Sequence, residues 1–344
     1  MLLHRRSARV ASVPPVIFRW DLDKTYLQSD FESLRELMRI PFEKPEEKVT
    51  VPGVAPLIRG LREVAVHAGR DVRIYFISAS PPQIATAVKE KLALDGIQYE
   101  GIVFKNQLQH LMRGRFRHLR EQVGFKLTEL LKSRVAMPPE SEEILFGDDW
   151  ESDPVIYSLY ADVVARRLTP SELGEVLATI GVDWRLNAQA RELAMAVPAG
   201  DVVRRIYINL ERRTPPTTFR FFGARLVPAY NYFQTAACLF EDGHLTLPAV
   251  SRVAECLIGN SGYTPARLAN SLADIVRRGH LGRPSATAVC GYLCARGVLP
   301  RRGVAGVRPP WWQRLIRWPT RKRSPAPVQP IDYRTLVTEW RAAR

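Results

Sequence analysis

Val16-Ile17-Phe18-Arg19-Trp20-Asp21-Leu22-Asp23-Lys24-Thr25 is the stretch on which the reading of the fold turns. A short apolar run ends abruptly in an acidic turn, the pattern of a buried strand whose carboxyl end opens onto polar surroundings. The same grammar recurs downstream. Val72-Arg73-Ile74-Tyr75-Phe76-Ile77 ends in Ser78, and Glu143-Ile144-Leu145-Phe146 ends in Gly147-Asp148-Asp149. Ala161-Asp162-Val163-Val164-Ala165 reads as a fourth strand, and Gly101-Ile102-Val103-Phe104 as a further candidate. Helical spacing lies between these runs. Ile84, Ala87, Val88 and Leu92 share a face before a stop at Gly96, and Phe125, Leu127, Leu130 and Leu131 share another. Strands alternating with helices predict a doubly wound α/β fold with a parallel sheet. Ligands of such sheets sit beyond the carboxyl ends of the strands, where the polar residues fall here.

Those residues suggest a chemistry. Asp21 and Asp23 stand two apart in a turn, so both carboxylates can face one crevice, one attacking phosphorus and the other handling a proton. Asp148, Asp149 and Asp153 gather at a second strand end. Hard oxygen ligands of this kind suit Mg²⁺, and without a cation they would repel one another. The hydroxyl of Ser78 can hold a phosphoryl oxygen. Lys126 is a suitable point charge for the same group, with Lys105 as its rival.

In order, Asp21-x-Asp23-x-Thr25, Ser78, Lys126 and Gly147-Asp148-Asp149-x-x-x-Asp153 resemble the motifs of the haloacid dehalogenase-like (HAD) phosphatase superfamily. Ser78-Ala79-Ser80-Pro81, Ser29-Asp30 and Asp153-Pro154-Val155-Ile156-Tyr157 resemble the App1-type phosphatidate phosphatases and their lipin-like relatives. The resemblance covers about residues 14–168. It implies that Asp21 is the nucleophile and forms an aspartyl-phosphate. Asp23 then protonates the leaving oxygen and activates water, while Ser78 and Lys126 hold the phosphoryl oxygens. Mg²⁺ sits on the Asp21 carboxylate, the Asp23 backbone carbonyl and Asp148, with Asp149 or Asp153. Lys24 and Pro82 depart from the App1 pattern. Fifty-two residues separate Thr25 from Ser78 and 45 separate Ser80 from Lys126, too few for a large cap. An open crevice suits a bulky phosphorylated substrate, phosphatidate or another lipid, or a nucleic-acid end. A non-catalytic lipid- or protein-binding module with a vestigial site is the remaining reading.

Composition sets the outer limits. The chain has 344 residues, with 50 Lys+Arg against 35 Asp+Glu and a formal charge of +15. Before residue 169 there are 25 basic and 23 acidic side chains; from there on there are 25 and 12. The excess in the second half favours an anionic partner, a phospholipid surface or nucleic acid. No run approaches the roughly 18–20 apolar residues of a spanning helix. Four Cys do not make a disulfide framework in a chain of this length, so the expected location is cytoplasmic, with peripheral membrane contact through the tail as a further reading.

The expected domains are a phosphatase domain at 12–168, a mostly helical region at 169–300 and a basic tail at 301–344. The helical region draws its aromatic core from Phe219 to Phe222, Phe233 and Phe240, and Cys290 and Cys294 read as thiols rather than zinc ligands. A helix–turn–helix over Thr264 to Leu299 is a second reading of its end. In the tail, Trp311, Trp312 and Trp318 fall on one side of a short helix, with Arg314 and Arg317 on the other. That face suits either an anionic membrane or the protein's own body.

Overall fold

The computed structural model describes residues 14–28, 49–80, 82–105, 115–150, 152–300 and 331–342. Six parallel strands form one sheet: β1 (Val16–Asp21), β2 (Val72–Ser78), β3 (Gly101–Phe104), β4 (Glu142–Asp148), β5 (Val203–Asn209) and β6 (Leu226–Ala229). Their order across the sheet is β3-β2-β1-β4-β5-β6. The strand order reverses between β1 and β4, and a doubly wound sheet opens its ligand crevice at such a reversal. Asp21 ends β1 and Asp148 ends β4, so the two acidic motifs flank that opening.

Side chains alternate across the sheet, as the two-residue period of a strand demands. Phe18, Trp20, Ile144, Phe146 and Tyr207 point into one core. Leu145, Ile206 and Ile208 point into the other. The first core is closed by α1 (Val54–Ala68), α2 (Ala85–Leu94), α7 (Tyr232–Glu241), α8 (Leu247–Ser261), α9 (Pro265–Arg277) and α10 (Arg283–Ala295). The second is closed by α3 (Arg115–Val135), α4 (Asp153–Val164), α5 (Pro170–Ile180), α6 (Trp184–Ala196) and α11 (Tyr333–Ala342). An aromatic floor runs beneath the crevice. Trp20 stacks on Phe146 with ring centroids 3.6 Å apart, and Phe146 stacks on Tyr207 at 5.3 Å.

Three expectations change. The run Ala161–Ala165 is not a strand: residues 161–164 belong to α4, and Ala165 caps it. All twelve residues of α4 are buried, so it carries no polar stripe to reveal a helical period. The sheet also crosses the expected boundary at residues 168 and 169, because β5 and β6 come from the region read as helical. Both cores likewise draw on either side of that boundary. Lastly, Phe219 and Phe222 pack in the second core and Phe233 in the first, while Phe221 is exposed. Ser29-Asp30, Pro81 and the tail with Trp311, Trp312, Trp318, Arg314 and Arg317 lie outside the described residues. Part of each of the two intervals from which an uncapped crevice was expected lies there too. Among the described residues, no helix is long and apolar enough to cross a membrane.

Candidate active site

The chain turns sharply at the end of β1. Tyr26 and Leu27 both donate their backbone N–H to the Leu22 carbonyl at 3.0 Å. Lys24 takes a left-handed conformation with φ 57°, unusual for a residue with a side chain. Tyr232, at the start of α7, pins the turn by donating its hydroxyl to the Thr25 carbonyl at 2.7 Å. Ser78 and Ser80, from the end of β2, hold the Asp23 carboxylate. Their hydroxyls donate to Asp23 Oδ2 at 2.7 and 3.0 Å. Ser78 also accepts the Ser80 backbone N–H at 3.0 Å, which orders the pair.

Asp153 reaches the site from the first turn of α4 because residue 147 is glycine. A Cβ on Gly147 would fall 2.4 Å from Asp153 Oδ2 and 2.6 Å from Asp153 Cβ. Gly147→Ala therefore displaces the Asp153 carboxylate. If the acidic group holds a divalent ion, this variant should weaken its binding by about tenfold or more, the scale on which a misplaced ligand or its support weakens a metal site. Calorimetric titration measures it; unchanged affinity would contradict this role for the glycine.

Asp21, Asp148 and Asp153 are buried, and each offers an oxygen lying within 4.8 Å of the other two. Lys126, buried on α3, sets its ammonium 2.7 Å from Asp21 Oδ1 and 2.8 Å from Asp153 Oδ1. Three carboxylates with a fourth, Asp23, close by concentrate negative charge around this lysine. The donors are all oxygen, which is the chemistry of a hard divalent cation. Tyr157 lies beneath them. Burial first, and the Asp153 charge second, raise its phenol well above the usual range, so it remains protonated and donates to the Phe146 carbonyl at 3.2 Å.

The two pairs of rival candidates occupy different surroundings. The Asp149 carboxylate accepts the backbone N–H groups of Arg212 and Thr214 at 2.9 and 3.0 Å, on the segment that follows β5. Asp153, not Asp149, joins Asp21 and Asp148. Lys105 pairs with Glu121 at 3.0 Å, whereas Lys126 enters the acidic group. Tyr232, Ser80 as a hydroxyl donor and the Arg212–Thr214 segment were absent from the expected site.

Two carboxylate motifs at a topological reversal, with a buried lysine between them, offer oxygen donors for a hard cation and a fixed positive charge for an anionic group. Residues 20–169 match the family model described as phosphatidate phosphatase APP1, catalytic domain, and this part of the chain has that resemblance. No curated protein and no solved structure matches the chain.

Proposed function

We propose that the protein is a Mg²⁺-dependent HAD-type phosphomonoesterase acting through an aspartyl-phosphate, with phosphatidate or another bulky phosphorylated lipid as substrate. The observation that carries this reading is the buried group of Asp21, Asp148 and Asp153 with Lys126 against two of them. The APP1 match over residues 20–169 supports the substrate class.

An oxygen of Asp21 attacks phosphorus and the bond to the leaving oxygen breaks. Asp23 gives that oxygen its proton. Asp23 then takes a proton from water, whose oxygen attacks the same phosphorus and releases phosphate and the Asp21 carboxylate. The hydroxyls of Ser78 and Ser80 hold the Asp23 carboxyl in line for both transfers. Lys126 neutralises phosphoryl oxygens as charge develops on them, and such electrostatic positioning supplies most of the rate in phosphoryl transfer. Asp21, Asp148 and Asp153 would hold Mg²⁺, which when bound supplies neutralisation between the carboxylates and the phosphoryl oxygens.

A screen in Mg²⁺ with phosphatidate vesicles, sugar phosphates and phosphorylated oligonucleotides tests the proposal. Mg²⁺-dependent phosphate release from phosphatidate is expected. Release from oligonucleotides alone would replace the substrate, and no release from any would remove the activity. The lysines give a sharper contrast. Lys126→Ala is expected to reduce turnover by about a hundredfold or more, as loss of a transition-state charge contact does. Lys105→Ala is expected to leave turnover within about twofold and stability within about 1 kcal/mol, since its pair with Glu121 is partly solvated. Equal effects of the two variants would contradict the assignment.

A further inference from the structure

Trp150 follows the metal-ligand strand at the lip of the crevice, and its backbone N–H donates to Asp148 Oδ1. Two cations approach its ring. Lys24 Nζ lies 3.6 Å from the ring centroid and the Arg212 guanidinium carbon 4.6 Å. Lys24 comes from the β1 turn and Arg212 from the segment after β5, so three strand ends converge on one indole. Arg212 is fixed twice: its side chain lies over Trp150, and its backbone N–H is held by Asp149. Its side chain is nonetheless exposed, as is that of Arg213 beside it. Between residues 210 and 222 the basic residues are Arg212, Arg213 and Arg220, and the acid is Glu211. A solvent-facing guanidinium anchored beside a phosphoryl pocket is a costly arrangement for structure alone, because long side chains lose entropy when fixed.

We propose that Arg212, positioned by Trp150 and Asp149, determines specificity by binding a second phosphate on the leaving-group side of the substrate. The proposal rests on the phosphatase reading above and deepens it. A planar guanidinium matches two phosphate oxygens with paired N–H donors, and an aromatic face fixes its plane while leaving its edge for the ligand. The reacting phosphate would meet Asp21 with Lys126 beside it, and the second would meet Arg212 across the lip that Trp150 forms. The site then distinguishes a doubly phosphorylated glycerol compound from a singly phosphorylated one through binding rather than through the chemical step.

The test uses the full chain in Mg²⁺ with glycerol 3-phosphate and glycerol 1,3-bisphosphate, reading phosphate release for wild type, Arg212→Ala and Arg212→Lys. For the bisphosphate, Arg212→Ala is expected to raise KM about tenfold with kcat within about twofold, the scale of a lost hydrogen bond to a charged group. Both constants for the monophosphate should stay within about twofold, and Arg212→Lys should restore only part of the loss. Equal losses on both substrates would make Arg212 a structural brace and overturn the proposal, as would no loss on either. If wild type hydrolyses neither compound, these small molecules are not its substrates, and the phosphatase reading stands or falls separately on the phosphatidate screen. Calorimetric titration of glycerol 1,3-bisphosphate then decides the subsite: weaker binding to Arg212→Ala supports it, and equal binding overturns it.

Discussion

Asp21→Asn is expected to lower phosphate release by about a thousandfold or more while the chain stays folded, because in the proposed mechanism the attacking oxygen is removed. The amide has the shape of the carboxylate, so the buried space at the end of β1 is still filled. What disappears is one negative charge from a group that includes Asp148 and Asp153, together with its contact to Lys126 at 2.7 Å. Relief of carboxylate repulsion and loss of that ion pair act in opposite directions on stability. The melting temperature is therefore expected to stay near that of wild type. Phosphate release and thermal unfolding, measured on the same preparation, separate the outcomes. Retained turnover would remove Asp21 from the mechanism, and a large fall in melting temperature would make its role structural.

Glu143→Ala is the variant with the largest expected effect on stability. Glu143 lies in β4 beside β1 and is fully buried. It accepts from Arg19 at 2.6 Å, from Arg134 at 3.2 Å and from the Tyr160 hydroxyl at 2.9 Å. Burial lowers the affinity of Arg19 for its proton, but the charge and hydrogen bond of Glu143, with Tyr160 and Tyr75, together outweigh it and the guanidinium is raised above its ordinary value. Removing the carboxylate strands two buried cations, a change that costs about 3–5 kcal/mol. The exposed pair of Lys132 and Glu129 offers the contrast, since breaking it should cost under about 1 kcal/mol. Urea denaturation reads both. A loss at Glu143 no greater than at Glu129 would contradict this view of the network. Because Glu143 joins β1, α3 and α4, it also sets the spacing of the elements that carry Asp21, Lys126 and Asp153.

The legible part of the fold was the part whose side chains face two environments. β1, β2 and β4 each end an apolar run in polar residues, because the strand leaves the core as it enters the crevice. Chemistry concentrates at those ends, so Asp21, Asp23, Ser78, Asp148 and Asp153 stood out together. The last third of α4 was misread because burial on every side erases the helical period. β5 carries a comparable signal in Ile206-Tyr207-Ile208-Asn209, but it sits among amphipathic helices and was absorbed into them. The role of Asp149 was hidden for a different reason. Its neighbours in the chain suggest a metal ligand, and only the return of the chain after β5 brings the Arg212 and Thr214 amides to its oxygens. Tyr232 reaches Thr25 across 207 positions, a contact that no local pattern announces.

Divalent-ion binding to the full chain tests the account most directly. Calorimetric titration with Mg²⁺ should show one ion per chain, with thermal unfolding shifted upward by mass action. Both signals should be lost in Asp148→Asn and in Asp153→Asn and kept in Asp149→Asn. A wild-type chain that binds no divalent ion, or one whose binding survives loss of Asp148 and Asp153 alike, would contradict it.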